Sequence, residues 1–238
     1  MMLRKAFEQQ LQELKEKVLV LGSTVEEALL QSAEALRKRD REAARRVVEM
    51  DREINRKRFA LETLAIDLIA TQQPVAHDLR LLASILEIAG ELERIGDYAK
   101  GIAIINIRMG SLVEIPTPVE ITAMAQKAAN MLRQALVAFV KEDAERARAI
   151  PQEDDEVDAL YLRIYRDLMA QIVSEPSLIE GANWLLWAAH NLERAADRVT
   201  NVCERTVYTI TGEMTEMDVT WDELEGENRG LARPRSPF

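Results

Sequence analysis

The chain reads as all-α: two tandem, similar three-helix bundles, six long helices in all, followed by a tail. Three observations predict this. Glycine (9), proline (7) and aromatic residues (5%) are sparse in 238 residues, whereas the helix formers Ala, Leu, Glu and Arg abound. Apolar residues recur at alternating spacings of four and three over long windows, the stripe of a helix packed in a bundle. Finally, Leu92-Glu93-Arg94-Ile95-Gly96-Asp97 returns one hundred positions later as Leu192-Glu193-Arg194-Ala195-Ala196-Asp197, which marks an internal duplication.

Each element has its own marks. Phe7, Leu11, Leu14, Val18, Leu21, Val25, Ala28, Ser32 and Leu36 predict a first helix over about residues 4 to 38. Arg39-Asp40-Arg41 breaks the stripe, and Asp40 can cap the next helix. That second helix carries Val47, Val48, Met50, Ile54, Phe59, Leu61, Leu64 and Ile66 to about Ala70, where Gln72-Gln73-Pro74 ends it. A third begins near Val75 to Asp78 and runs through the first acidic motif to about Ile107. Gly110-Ser111 and Pro116-Thr117-Pro118 form the strongest boundary in the chain, so residues 1–112 make the first bundle and 113–211 the second.

Beyond that boundary the pattern restarts. Ile121, Met124, Ala128, Met131, Ala135 and Phe139 predict a fourth helix continuing to about Ala149, and Pro151 punctuates. Asp154 to Asp158 opens a fifth helix that Ser174-Glu175-Pro176-Ser177 closes, and a sixth runs from about Leu178 to Ile210. From Gly212 to Phe238 the periodicity is lost, and a mobile tail is expected.

Composition narrows the function. The formal charge is 31 − 41 = −10, which argues against a nucleic-acid partner and for cations or basic protein surfaces. No apolar stretch approaches the roughly 20 residues that cross a bilayer, and no export signal is visible, so a cytoplasmic protein is expected. The single cysteine, Cys203, reads as a small buried hydrophobe.

The acidic motifs carry the chemistry. Residues four apart on a helix project side by side, so Glu93 with Asp97 and Glu193 with Asp197 each form a carboxylate pair. Like charges at that spacing repel by about 3 kcal/mol at an effective dielectric near 20, and solvent, arginines or a cation must offset this. Upstream of each motif stands a second oxygen-bearing pair, Asp51 with Asn55 and Asp154 with Asp158. Folding the first hairpin about Gln73 puts Asn55 level with position 91 and Asp51 with position 95; folding the second about Pro176 puts Asp158 level with 194 and Asp154 with 198. Converging oxygen donors of this kind suit iron, manganese, magnesium or calcium. The competing reading, a solvated face balanced by Arg94 and Arg194, stays open on the residues alone.

Other residues are secondary. His190, one turn before Glu193, is either a ligand or a hydrogen-bonded structural histidine, and Asn201 and Glu204 continue the same face and could extend the second site. His77 reads as a helix-start residue, and Trp184 and Trp187 as core or interface anchors. Neither histidine has a glutamate three residues before it, which disfavours a ferritin-like di-iron oxidase.

The chain resembles the PhoU family of phosphate-transport accessory and regulatory proteins. The resemblance rests on Gln72-Gln73-Pro74-Val75-Ala76-His77-Asp78-Leu79-Arg80 and on the two acidic motifs, and covers about residues 1 to 211. It implies two three-helix bundles, no enzymatic activity, and multinuclear metal clusters, usually of iron, with manganese, magnesium, zinc or calcium as alternatives. The metal ligands so implied are Glu93, Asp97, Asp51 and Asn55, and Glu193, Asp197, Asp154 and Asp158. Two departures concern the first site: Asn55 replaces an acid, and Gly101 stands where the family often has the Asn of Asn201. The implied role is negative regulation of the phosphate-starvation response, linking the phosphate ABC transporter ATPase to a membrane sensor histidine kinase; homodimerisation is left open. The alternatives are a metal-dependent carboxylate-bridged enzyme and a metal-free helical scaffold.

Overall fold

A polar residue that breaks a helical stripe and then caps the next helix sets the first turn of the chain, and the same device recurs 103 residues later. In the computed structural model, which describes residues 2–110 and 115–217, α1 (Met2–Lys38) ends at Arg39 in the left-handed region, φ 55°. The Asp40 side chain then accepts from the amides of Glu42 and Ala43 and starts α2 (Arg41–Gln72). In the second half, α4 (Val119–Lys141) ends at Glu142, φ 54°, and the Asp143 side chain accepts from the Arg146 amide to start the short α5 (Ala144–Ala149). The fourth helix is therefore eight residues shorter than its apolar spacing predicts, since it stops at Lys141 and not at Ala149. Pro151 lies in a 3-10 turn, Ile150–Glu153, that leads from α5 into α6 (Asp154–Ser174).

The remaining boundaries agree with expectation to within about two residues, the usual fraying of helix ends. Pro74 separates α2 from α3 (Ala76–Met109), and a 3-10 turn at Pro176–Leu178 separates α6 from α7 (Ile179–Thr211). Among the described residues there is no strand. The connector expected at Gly110-Ser111 lies partly outside the described residues, which resume at Ile115.

Within each half the three long helices pack on one another, and the halves meet where α3 lies against α7 and α1 against α4. α3 and α7 run antiparallel: Ser84 near the start of α3 donates to the Arg205 carbonyl near the end of α7, while the Arg108 guanidinium at the other end of α3 lies 5.9 Å above the Trp184 ring. The resulting core is continuous, with Leu21, Leu29, Ile88, Leu92, Phe139, Leu185 and Val199 among its buried residues. Asn106, fully buried, donates to the carbonyls of Ala35 and Asp40 and so pins the α1–α2 turn to α3. No helix among the described residues is long and apolar enough to cross a membrane.

Residues 213–217 do not drift from the bundle. The Met217 amide donates to Glu204 at 2.8 Å and its side chain packs on the core, so the expected tail begins along α7. Its remainder, 218–238, lies outside the described residues.

Candidate functional site

Both acidic motifs sit at mid-helix on the two central helices, anchored by wholly buried neighbours: Leu92 and Ile95 on α3, Leu192 and Ala195 on α7. Those apolar anchors fix the helix rotation, which leaves Glu93 facing Arg58 of α2, Asp97 exposed beside Lys100 of its own helix, and Glu193 facing Asp158 of α6.

In the first half, Asp51 is 8% exposed and one of its oxygens lies 2.8 Å from the Lys100 ammonium. Lys100 also stands 3.7 Å from Asp97, and Arg58 reaches Glu93 at 3.5 Å. Burial, reinforced by the Asp97 charge, pushes the Glu93 carboxyl above the usual range, with Arg58 opposing. The hydrogen bond to Asp51 raises the Lys100 ammonium in turn. Asp51 and Asp97 thus share the Lys100 ammonium, and both add to the charge that acts on Glu93. Asn55 does not join them: its amide donates to the backbone carbonyl of Asp51, one turn back on its own helix.

The register of the first hairpin also differs from expectation. Asp51 lies level with Lys100, and the Ile54 side chain lies where a Cβ on Gly96 would meet it, about one turn further along α3 than an equal-rise fold about Gln73 allows. The cause is local. Gln73 is left-handed and Val75 extended, so these non-helical residues shift the hairpin midpoint toward α3.

In the second half, burial raises the Glu193 carboxyl, and Asp197 and Asp158 raise it further, while His190 opposes. His190 Nδ1 stands 3.0 Å from Glu193, which makes it the carboxylate's partner, and its ring lies 6.2 Å from that of Tyr161. Burial and then Glu193 raise the Tyr161 phenol. Asp158 is raised as well, first by burial and then by Asp155, although the residue as a whole is exposed. Asp154 opens α6 one turn before Asp158. Glu204 does not extend this group: it receives the Met217 amide. Asn201 is half-buried on the α7 turn after Asp197.

The halves differ in where their cations go. Lys100 and Arg58 point into the first cluster. In the second half the place of Lys100 is taken by Thr200, which is buried, and Arg198 turns to Glu91 of α3 at 3.6 Å. Arg194 lies 5.2 Å above the Tyr98 ring. Lys100, Arg58 and Tyr161 are functional neighbours that carboxylate spacing alone does not reveal. The signal for Lys100 was its position, three residues after Asp97 and seven after Glu93 on one helix face.

Among the described residues, no three His, Cys, Asp or Glu side chains converge closely enough to hold a metal ion in this arrangement. In the second half the Glu193 and Asp158 carboxyls are held above their ordinary range, each first by burial, and the His190 ring stands 3.0 Å from Glu193, donors of the kind a hard or borderline cation takes. Elsewhere, Cys203 is buried, and burial pushes its thiol up to about 12. Trp184 is half-buried between the halves, whereas Trp187 is 55% exposed. His77, expected to be an ordinary helix-start residue, lies 2.9 Å from Glu142 across the two halves.

Comparison with known proteins gives a consistent result. The family model described as PhoU domain matches twice, at residues 18–105 and 121–206. The phosphate-specific transport system accessory protein PhoU homolog of Clostridium acetobutylicum is 36% identical over 218 residues, covering 91% of this chain and all of that protein. The crystal structure of PhoU from Pseudomonas aeruginosa superimposes with a TM-score of 0.81 at 30% identity, over 87% of this chain and 100% of that one. The phosphate transport system regulatory protein PhoU from Streptococcus pneumoniae gives a TM-score of 0.81 at 31% identity, over 88% and 99%.

Proposed function

The chain belongs to the PhoU family, and from that premise we propose that it is an accessory regulator of phosphate-specific transport that works by binding other proteins and not by catalysis. The observation that carries this reading is the double family match, which spans both halves and both acidic motifs. The finer role is that of a cytoplasmic adaptor between the ATPase of the phosphate ABC transporter and a sensor histidine kinase, which holds the phosphate-starvation response down when phosphate is plentiful. A formal charge of −10 suits basic protein partners, and the buried Cys203 thiol, pushed up to about 12, does not supply a nucleophile.

Within this reading, cations act at the second half, where Glu193, Asp197 and Asp158 would supply oxygens and His190 a nitrogen, with Asp154 one turn away. Iron and manganese both suit a mixed carboxylate and imidazole set. A bound cation would offset the repulsion among these acids and fix α6 against α7, and so stiffen the surface a partner meets.

The test is co-purification of the full chain with the transporter ATPase and with the cytoplasmic region of the kinase. It is paired with phosphate-responsive expression in a deletion strain carrying either the wild type or Glu193→Gln. Partner capture, with repression restored by the wild type, supports the adaptor role. No capture and unchanged expression would remove it.

A further inference from the structure

We infer that the groove between α6 and α7 is a docking site for an amphipathic helix of a protein partner, a helix that is apolar at one end of its buried face and carries lysine or arginine at the other. This deepens the binding-protein reading proposed above and rests on it for the partner's being a protein; it does not depend on a bound metal.

Geometry leads to it. A groove of about 450 Å³ opens between the end of α6 and the start of α7, lined by Met169, Ile172, Ile179, Glu180, Asn183 and Leu186. Ile179 is 59% exposed, and Met169, Ile172 and Leu186 are only half-buried, so apolar surface faces solvent on the side of the hairpin that α4 leaves open. Further along α7 the same channel changes character. The Tyr161 ring lies 6.2 Å from that of His190, and one turn beyond them the Asp158 charge acts on Glu193. Ile179 and Glu193 are separated by about 21 Å of helix, the span of a docked helix of roughly four turns. A helix laid there would complete a four-helix arrangement with α4, α6 and α7, the usual way an open groove between two helices is filled.

Charge selects the occupant. At helical spacing, the rows that border the groove run from Asp154 to Ile172 on α6 and from Ile179 to Asp197 on α7, and neither row holds a lysine or an arginine. Arg198 acts on Asp197 from beside the row, so the negative end rests on exposed Asp158 and on Glu193, whose near partner is the His190 ring at 3.0 Å. Both carboxyls are held above their ordinary range, and an approaching lysine or arginine relieves what raises them. A second copy of this chain would instead bring a formal charge of −10 to an acidic channel. The duplication isolates the feature. Ile66, Ile69, Leu79 and Leu86 stand in the first half where Met169, Ile172, Ile179 and Leu186 stand in the second, and Ile66 and Leu79 are likewise exposed. The apolar end therefore recurs in both copies. In the first half, however, Arg58 and Lys100 already reach the acids from within the chain, so the pairing of an apolar end with a negative one belongs to the α6–α7 groove.

The experiment titrates the full-length protein, stripped with chelator, into a fluorescein-labelled synthetic helix of about 18 residues, with leucines along one face and lysines in its last two turns, and follows anisotropy. Binding should saturate, weaken with salt, and vanish when the lysines of the peptide are replaced by glutamates. Affinity should fall roughly tenfold or more in Ile179→Ser combined with Met169→Ser, and similarly in Asp158→Asn combined with Glu193→Gln. Val20→Ser, which removes a comparably exposed apolar side chain from α1, should leave it unchanged. Should a double variant fail to fold, the single substitutions at exposed Ile179 and Asp158 decide. Absence of saturable binding, or equal binding by the groove variants, overturns the inference. So does displacement of the probe by a synthetic copy of residues 218–238, which would give the groove to the chain's own end, or a sedimenting dimer that Ile179→Ser dissociates, which would give it to a second copy. Co-purification separates this inference from the adaptor role. Undiminished capture of the transporter ATPase and the kinase region by a groove variant that has lost the peptide overturns the groove and leaves the adaptor; no capture by wild type, with peptide binding that responds to the variants, removes the adaptor and leaves the groove.

Discussion

Two glutamates show how the same side chain can either stabilise or strain one bundle. Glu142 ends α4 in the left-handed region; burial alone would raise its carboxyl, but the hydrogen bond from Lys15 and the contact with His77 outweigh this and hold it below the usual range. A depressed carboxyl contributes stability that is present above its unfolded pKa and is lost as pH falls through the folded one. Glu142→Gln should therefore cost on the order of 1 kcal/mol at neutral pH, given partial exposure, and flatten the acid limb of stability against pH in urea titrations. Glu193 has the opposite sign. Burial and Asp197 raise it, so ionisation opposes folding, and stability declines as pH rises from the ordinary glutamate range through the raised value. Metal-free Glu193→Gln should thus be more stable than wild type at neutral pH, by about 1 kcal/mol after solvent screening. Mn2+ should raise the melting temperature of wild type and leave that of the variant nearly unchanged; a variant less stable than wild type without metal would show that His190 already compensates the charge.

Helix by helix, legibility followed how sharply the chain departs from helical chemistry. Asp40 was readable as a cap because Arg39-Asp40-Arg41 interrupts the apolar stripe, and its side chain does accept from two amides at 3.0 and 2.9 Å. The equivalent break at Glu142-Asp143 was not readable. Lys141 and Glu142 are ordinary helix formers, and Ala147 and Ile150 resume the apolar spacing soon after, so nothing local marks the left-handed residue. Comparing the two copies would have marked it, since Asp40 and Asp143 each begin the second helix of their half. Of the candidate site the acids themselves were legible: Asp51 and Asp97 lie on one Lys100 ammonium, and the Asp158 charge acts on Glu193. The charge balance of the site was not, because a search for oxygen donors passes over the lysine and arginine that neutralise them. The cap equivalence makes a prediction of its own: Asp40→Ala and Asp143→Ala should each lower stability by about 1 kcal/mol, seen as a lower urea midpoint with an unchanged slope.

Across the whole molecule, the two repeats are halves of one packing unit. α3 and α7 touch along their length: Arg80 donates to the Thr209 carbonyl, Thr209 donates to Ser84, Arg205 pairs with Glu87 at 2.7 Å, and Gly101 lets Asn191 approach to where a Cβ would stand 3.0 Å from its amide. On the other side α1 meets α4 at Gly22, where a Cβ would lie 2.0 Å from the Leu136 side chain. Since α1 belongs to the first repeat and α4 to the second, a larger residue at Gly22 tests whether the repeats share one transition. Gly22→Val must displace Leu136 and cannot relax outward, because the position is buried. Overpacking of this kind costs about 1 to 3 kcal/mol, more than the modest gain from removing a helix-interior glycine. If the core is one cooperative unit, that loss should appear as faster amide exchange in the most protected positions of α2 and α6, neither of which supplies one of the atoms nearest an added Cβ, and as a single denaturant transition shifted to lower urea. Loss of protection confined to α1 and α4, or two resolved transitions, would mean that each bundle holds its fold independently and that the seam between them is free to open when a partner binds.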